Sequence, residues 1–426
     1  MRAHQQQTLW PVEQDDSAAS TFIPNASEPI HRWFRYSAGF SAAWASRVIE
    51  AAKNSRPTRV LDPFAGSGTT LLEAEATGAE AIGLESQPFV ARLARAKLLW
   101  RSDPSKFEER ARDLLTAARS ITPDTTVYPP LIHKCFPPEA LVELDQLRQA
   151  IQRESPPDPE TELCWLALAA ILRSCSPVGT ASWQYVLPKK RKATFTQPAA
   201  AFSEKVRGMV ADMRTRHHHD LGPPAQLVEI DARNPRSVPE GWATLVVTSP
   251  PYANNFDYGD ATRLEMSFFL NVRGWGDLQR VARQSLVRSC TQHVASLPHS
   301  LSELLASPAL EPISEEIHQV CERLTAIKSS RGGKKPYDLM VASYFGDLAL
   351  VWKNLRSWSA PKARVCFVIG DSAPYGIYVP VERWLGLLAQ AAGFSTWHFE
   401  KLRDRNTKWK NRKHRVPLHE GILWVE

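Results

Sequence analysis

The chain has 426 residues, of which 43% are hydrophobic and 23% are charged, so it can form a packed core and is not a disordered protein. Lysine and arginine exceed aspartate and glutamate by 52 to 45, and the resulting charge of +7 permits a polyanionic partner without proving one. We find neither an apolar run long enough for a membrane span nor an apolar N-terminal core typical of a signal peptide.

The first half of the chain contains one clear βαβ unit. Residues 1–28 are polar and without periodicity, which predicts a flexible N-terminal arm. A helix is predicted after Ser41, because Trp44, Val48 and Ile49 recur at helical spacing. A strand at 59–61, a glycine-rich turn at 65–68, a helix at 69–77 and a strand at 81–84 follow. Such a unit implies a parallel sheet.

The α/β pattern resumes after a long region that is mostly helical. Strands are predicted at 226–230, 243–247 and 363–369, an amphipathic helix at 344–355, a helix at 381–392, and two terminal strands near 395–401 and 421–425. Helical, proline-broken stretches interrupt this pattern twice. The sequence therefore predicts a doubly wound, mostly parallel α/β sheet with mainly helical inserted regions.

The segment DPFAGSGTT, residues 62–70, has the chemistry of a ligand-binding turn. Gly66 and Gly68 allow positive φ angles and a close approach of the backbone to a ligand, and the following helix offers free N–H groups. Glu85 ends the next strand, where an acid commonly binds ribose hydroxyls. No Gly-Lys-Ser/Thr sequence ends the turn, so a P-loop is disfavoured.

The segment TSPPY, residues 248–252, follows an apolar strand. Its two prolines fix the backbone at a strand end, where ligands bind in open α/β sheets. The Ser249 hydroxyl and the Pro250 carbonyl can accept hydrogens from an exocyclic amine, while Tyr252 stacks on the ring that carries it. By itself this segment is more often an ordinary loop, but paired with DPFAGSGTT in one sheet it indicates a site.

Together, DPFAGSGTT and TSPPY resemble the S-adenosylmethionine-dependent amino-methyltransferases of DNA, and the SPPY form is most similar to those that methylate N4 of cytosine. HRWFRYSAGFS (31–41), IDARN (230–234), ARVCFVIGDS (363–372) and HEGILWV (419–425) are similar to further motifs of that family. The resemblance implies a Rossmann-like methyltransferase fold and S-adenosylmethionine as cofactor. It also implies direct attack of the amine of a flipped cytosine, because none of the six cysteines follows a proline as a C5-cytosine nucleophile would.

The resemblance assigns roles by position. The implied cofactor-binding residues are Phe40, Ser41, Asp62, Phe64, Gly66, Gly68, Thr69, Glu85 and Asp231, and the implied catalytic residues are Ser249, Pro250, Pro251 and Tyr252. Glu85 would bind the ribose hydroxyls and Asp231 the adenine amine. Two alternatives stay open: an adenine-N6 or RNA amino-methyltransferase, and a non-catalytic nucleic-acid-binding subunit that keeps the fold.

Basic stretches with interleaved aromatic residues are candidates for contact with double-stranded DNA. They supply Lys189, Lys190, Arg191, Lys192, Lys334, Lys335, Arg405, Lys408, Lys410 and Arg412, with Trp183, Tyr185, Phe195 and Trp409 nearby. A solvated charged turn remains an alternative for residues 189–192. A cognate restriction endonuclease is a further possible partner.

The predicted catalytic domain comprises residues 29–90, 226–270 and 337–426. Residues 91–225 are a candidate target-recognition region and residues 271–336 a candidate DNA-contacting lid; which of the two reads bases is left open. Scattered cysteines without a CxxC pair argue against a zinc site and disulfides and favour a cytoplasmic location. The run His217–His219 is weak evidence for a metal, so no metal site is predicted.

Overall fold

A computed structural model describes residues 21, 23–36, 38–53, 57–181, 185–218, 222–295, 297–330, 335–405 and 416–426. Its strands are β1 (Arg59–Asp62), β2 (Glu80–Leu84), β3 (Val178–Thr180), β4 (Val186–Arg191), β5 (Gln226–Val228), β6 (Ala243–Thr248), β7 (Ser359–Gly370), β8 (Trp397–Arg405) and β9 (Leu418–Val425). Strands β3 and β4 form a separate antiparallel hairpin. The other seven form one sheet in the order β5-β2-β1-β6-β7-β9-β8.

The helices are α1 (Ala42–Lys53), α2 (Thr69–Thr77), α3 (Pro88–Leu98), α4 (Pro104–Ala118), α5 (Pro130–Cys135), α6 (Pro138–Arg153), α7 (Pro159–Ile171), α8 (Pro198–His217), α9 (Tyr258–Ala261), α10 (Arg263–Phe268), α11 (Trp275–Val281), α12 (Thr291–Val294), α13 (Leu301–Leu305), α14 (Ser314–Ser330), α15 (Tyr337–Trp358) and α16 (Val381–Ala391). None of these helices, in the part of the chain that is described, has the length and apolar character needed to span a bilayer.

The large sheet confirms the predicted fold class. Strands β5, β2, β1, β6 and β7 pair in parallel, while β9 pairs antiparallel with both β7 and β8. Strand β6 is buried at every position, as expected for a central parallel strand covered on both faces. The chain continues from β1 to β2 on one side, and β6 lies on the other side of β1. Ligand crevices form at such a switch point.

Three hydrophobic cores hold the fold together. One, which includes Trp44 and Leu71, lies between the sheet and helices α1 and α2. A second lies on the other face, where Trp352 of α15 packs with residues of α12–α14 and α16. The third joins α3–α8 to Trp33 and to Leu278 of α11. The first inserted region thus has a core of its own, which the N-terminal segment and α11 help to form.

Several elements differ from their predicted form. Helix α15 extends beyond residues 344–355 at both ends and is buried on more than one face, because it lies between the sheet and the neighbouring helices. The basic residues 189–191 lie in strand β4 rather than in a turn, which was the alternative left open for them. The boundary predicted at residue 90 falls inside α3, and residues 271–336 divide between two hydrophobic cores. Strand β5 ends at Val228, before the predicted residue 230.

Candidate functional site

The two sequence motifs meet at the carboxyl ends of the neighbouring strands β1 and β6. The Thr248 hydroxyl donates a hydrogen bond to Oδ1 of Asp62 at 2.5 Å. The Thr70 hydroxyl donates to the Val247 carbonyl at 3.1 Å. Two regions separated by more than 170 residues in sequence therefore form one continuous surface at the switch point of the sheet.

The glycine-rich turn has the conformation that its sequence predicts. Gly66 has a φ of +52° and Gly68 a φ of +84°, which side-chain-bearing residues rarely adopt. A Cβ at Gly66 would lie 3.2 Å from the Tyr36 ring, so the turn has no room for a larger residue. No side chain caps the start of α2 after Gly68, so its first N–H groups have no side-chain acceptor.

The Glu85 carboxylate bridges the turn and the next helix. It accepts hydrogen bonds from the Gly66 N–H at 3.0 Å and from the Gln87 N–H at 2.8 Å. Burial raises the pKa of Glu85 to about 7, and the nearby Asp62 contributes in the same direction. Burial likewise raises the pKa of Asp62 to about 6, against hydrogen bonds from the Thr248 hydroxyl and the Phe64 N–H. Two neighbouring carboxyl groups at this turn therefore change their charge near neutral pH.

A pocket joins the glycine-rich turn to the TSPPY loop. Its lining includes six predicted site residues, namely Phe64, Gly66, Glu85, Asp231, Ser249 and Pro251. Sequence reasoning missed its other walls, which come from Tyr36, Ala38, Pro63, Leu84, Ser86, Ile230, Ala232, Tyr258, Ser285, Leu286 and Val287. Residues 285–287 follow α11 in the second inserted region, and no local motif distinguishes them.

Asp231 lies in this pocket as part of an ion-pair network. It accepts the backbone N–H of Arg233 at 2.8 Å, and the Arg233 side chain returns to the same carboxylate. The guanidinium also contacts the buried Asp347 at 2.9 Å. This network orients the Asp231 carboxylate, which remains partly exposed to the pocket.

Two of the other predicted cofactor-binding residues, Phe40 and Ser41, contact helix α1 and do not line the pocket. The Phe40 ring is buried and packs edge-on against Trp44, with 5.7 Å between ring centroids. The Ser41 hydroxyl accepts the Trp44 N–H at 3.3 Å at the start of α1. Within the described residues, the pocket wall on this side is formed by Tyr36 and Ala38 instead. Gly68 ends the turn and Thr69 begins α2, and both are buried.

Ser249 and Tyr252 are oriented by distant strands. The Ser249 hydroxyl donates to the Val368 carbonyl at 3.1 Å. Because a hydroxyl has one hydrogen, its oxygen can then only accept a further hydrogen bond. The Tyr252 N–H donates to the Tyr258 hydroxyl at 3.1 Å, and the Tyr252 hydroxyl donates to Glu420 at 2.8 Å. Burial, followed by the charge of Glu420, raises the pKa of Tyr252, so this residue remains a neutral phenol.

A buried polar cluster fixes the segment that follows TSPPY. Asp257, Cys290 and His293 bring potential metal-ligating atoms within 4.8 Å of one another. The Asp257 carboxylate, however, is paired with the buried guanidinium of Arg283 and caps the N–H of Gly259. Burial opposes its ionisation, but hydrogen bonds from His293 and Arg283 lower the pKa of Asp257 to about 2. The arrangement is that of an ion pair that stabilises a loop.

The hairpin of the first inserted region docks on the same segment. Tyr185 stacks on Phe256 with ring centroids 5.5 Å apart, and its hydroxyl accepts the Asp257 N–H at 2.7 Å. In strand β4, the side chains of Lys189, Lys190 and Arg191 are exposed to solvent. The hairpin therefore brings exposed cations to the TSPPY side of the molecule.

The remaining basic candidates fall into three groups. Lys192 donates from its ammonium to the carbonyls of Arg173 and Ser176, at 2.6 and 2.9 Å, so that charge is used within the protein. Lys335 is exposed, and the Arg405 guanidinium lies 5.5 Å from the centroid of the Tyr252 ring. Lys334, Lys408, Lys410, Arg412, Trp183 and Trp409 lie outside the described residues.

Comparison with known proteins agrees with this geometry. Residues 2–96, which include the glycine-rich turn and Glu85, match the N6/N4 methylase family model, described as DNA methylase. The chain is 25% identical to the type II methyltransferase M.BsoBI of Geobacillus stearothermophilus, and the alignment covers 95% of this chain and 87% of that protein. It is 23% identical to the type II methyltransferase M.AvaI of Nostoc sp., over 88% and 81% of the two chains.

A shorter match, 33% identical over 100 residues, is to the type II methyltransferase M.MvaI of Kocuria varians, and it covers 23% of this chain and 22% of that protein. No solved structure matches the chain.

Proposed function

We propose that the chain, which matches the N6/N4 DNA methylase family model in residues 2–96 and is similar to two type II methyltransferases over most of its length, methylates the exocyclic N4 amine of cytosine in double-stranded DNA, with S-adenosylmethionine as methyl donor. The observation that carries this proposal is the state of Ser249, whose hydroxyl hydrogen is bound to the Val368 carbonyl. Its oxygen is thereby restricted to accepting hydrogen bonds, which is what an amine in the pocket requires.

The pocket fits the proposed cofactor. Glu85 offers a carboxylate suited to vicinal ribose hydroxyls, and Asp231 offers a second acceptor in the same pocket. The turn at Gly66 is a cradle that a Cβ would fill. The carboxyls of Glu85 and Asp62 also provide negative charge for a cationic ligand when they are ionised. When bound, S-adenosylmethionine supplies a methyl group activated by its sulfonium.

The protein's own contribution is to hold and polarise the amine. The amine nitrogen of cytosine is a weak nucleophile, because its lone pair is delocalised into the ring. Ser249 and the Pro250 carbonyl would accept its two hydrogens and favour a pyramidal nitrogen whose lone pair is available. Tyr252 would hold the extruded ring by stacking. Positioning and electrostatics then supply the rate enhancement without a covalent intermediate.

The cysteines give independent support to amine chemistry. A C5-cytosine mechanism requires a thiolate, and a reactive thiolate needs a lowered pKa. All six cysteines are buried. Burial raises the pKa of every thiol, for example to about 12 for Cys290, whose thiol contacts Asn255 just after the TSPPY loop. Protonated thiols of this kind are poor nucleophiles.

The partner follows from the family and the charge distribution. The two relatives whose alignments cover most of the chain are type II methyltransferases. This similarity supports a restriction-modification setting with a cognate restriction endonuclease. Lys189, Lys190 and Arg191 would contact DNA phosphates beside the TSPPY loop. Arg405 and Lys335 would extend that contact, together with the basic residues 408–412.

The experiment that tests the proposal is modification-sensitive sequencing of genomic DNA from a methylation-free bacterial host, with and without the gene. We expect N4-methylcytosine at one recurring sequence. N6-methyladenine at such a sequence would refute the choice of base while keeping the chemistry. Unmodified DNA from cells that contain the folded protein would favour an RNA substrate or a non-catalytic subunit, and binding of S-adenosylmethionine would separate those two.

A further inference from the structure

The Tyr252 side chain is hydrogen-bonded to a buried carboxylate on β9, the last strand in chain order. Its hydroxyl donates to Oε1 of Glu420 at 2.8 Å, and Glu420 is only 4% exposed. The second oxygen, Oε2, accepts two hydrogen bonds from Arg403, at 3.0 and 2.7 Å. Two charge-assisted hydrogen bonds from one guanidinium hold the carboxylate in a fixed orientation. Glu420 is therefore a fixed acceptor for the phenol.

Strand register places these groups behind the tyrosine. In the antiparallel β7–β9 pair, Glu420 lies opposite Gly370, and in the β8–β9 pair it lies opposite Arg403. A Cβ at Gly370 would lie 3.3 Å from Cε2 of Tyr252 and would collide with the Arg405 guanidinium. The absence of a side chain at Gly370 thus leaves the space that the ring and the guanidinium occupy.

A cation lies over one face of the tyrosine ring. The Arg405 guanidinium is 5.5 Å from the ring centroid, and its Nη1 donates to the Asp371 carbonyl at 2.8 Å. With that face covered, a base would stack on the opposite one. Ring and hydroxyl are thus held by three strands, whereas the prolines before Tyr252 fix only its backbone.

We propose that Glu420, held by Arg403, is a positioning residue that orients the Tyr252 ring for stacking on the extruded base. The inference rests on the proposed function, because it assigns the tyrosine ring to the base. It differs from a role of the tyrosine hydroxyl in the chemistry itself, because the hydroxyl serves here as the attachment point of the ring. Removing either partner of the hydrogen bond should then have the same consequence.

The test is a double-mutant cycle of Glu420→Ala and Tyr252→Phe, measured by steady-state methylation of duplex DNA. We expect each single variant to lower kcat about tenfold with little change in the KM for the cofactor, and the double variant to be no worse than either single one. Glu420→Gln keeps an acceptor oxygen and should regain most of the activity. The matched control is Glu426→Ala, which removes an arginine ion pair at the other end of β9.

A spectroscopic signal separates positioning from a general structural effect. With 2-aminopurine at the target position, the wild-type complex should show the fluorescence of an extruded, stacked base. Glu420→Ala should change this signal while Glu426→Ala leaves it unchanged. Wild-type kcat for Glu420→Ala, or independent losses that multiply in the double variant, would overturn the inference. A wild-type protein that methylates adenine would refute the proposed base but leave the cycle interpretable.

Discussion

The two halves of the site are built in different ways. On the cofactor side, the Gly66 N–H binds Glu85, 19 residues away, within one βαβ unit. On the base side, Ser249 depends on Val368, 119 residues away, and Tyr252 on Glu420, 168 residues away. The glycine-rich turn and its contact with Glu85 thus form a local structure, whereas the contacts that hold Ser249 and Tyr252 require the complete sheet. Substitutions in the glycine-rich turn should impair cofactor binding alone. Substitutions on β7 or β9, far in sequence from the TSPPY loop, should impair methylation through the base site.

The largest effect is expected from Gly66→Val on the cofactor side. The positive φ of Gly66 and the 3.2 Å approach of a Cβ to Tyr36 leave no place for the side chain. We expect at least a hundredfold loss of S-adenosylmethionine affinity by calorimetry. The control is Gly208→Val, since a Cβ there meets nothing within 4 Å. Unchanged affinity in a folded Gly66→Val protein would remove the turn from the cofactor site.

On the base side, Tyr252→Ala should lower turnover by roughly ten- to a hundredfold, because base stacking contributes about 1–3 kcal/mol. Tyr252→Phe keeps the ring but loses Glu420 and should fall between this variant and the wild type. Cofactor affinity should stay unchanged in both variants. A mismatch at the target cytosine should restore part of the activity, since extrusion then costs less. Wild-type turnover by Tyr252→Ala would contradict the stacking role.

The exposed cations of the β3–β4 hairpin should affect DNA affinity, but neither cofactor binding nor the stacking of the base. Replacing Lys189, Lys190 and Arg191 by alanine removes three phosphate contacts, so the slope of log affinity against log salt should fall by about 2.7. Affinity near physiological salt should fall about tenfold. Lys192→Ala is the contrast, because its ammonium binds two carbonyls and its loss should lower the melting temperature instead. An equal slope change for Lys192→Ala would contradict this distinction.

The smallest effect is a pH dependence confined to the cofactor side. Burial raises the pKa of Glu85 to about 7 and that of Asp62 to about 6, so both ionise as the pH rises through this range. Ionised carboxylates bind hydroxyls and a cationic ligand better, so cofactor affinity should increase several-fold from pH 6 to pH 8.

The same shifts should affect the free protein in the opposite direction. The folded state binds more protons than the unfolded state between about pH 4.5 and pH 7, so its free energy of unfolding should decrease over that interval. Glu85→Gln should flatten both profiles. A cofactor affinity that is equally pH-dependent in Glu85→Gln would show that another group is responsible.

The difference between local and long-range contacts also explains which parts of the site the sequence could predict. Strand β1, the glycine-rich turn, α2 and β2 have nearly the predicted bounds, because glycine conformation and apolar periodicity are local. The partners of Tyr252 could not be predicted, since Glu420 reaches it only through the register of β9 on β7. Asp347 was missed because α15 meets Arg233 only in the folded chain. Phe40 and Ser41 match a family motif in sequence, but their core and capping contacts depend on the packing of α1.

The most direct test of the central claim is nucleoside mass spectrometry of duplex DNA after reaction with the purified protein and S-adenosylmethionine carrying a trideuterated methyl group. We predict N4-methylcytosine with all three deuterons, produced by the wild type and lost with Gly66→Val. C5-methylcytosine as the sole product would contradict the amine mechanism, and labelled N6-methyladenine would contradict the assignment of cytosine to the pocket beside Tyr252.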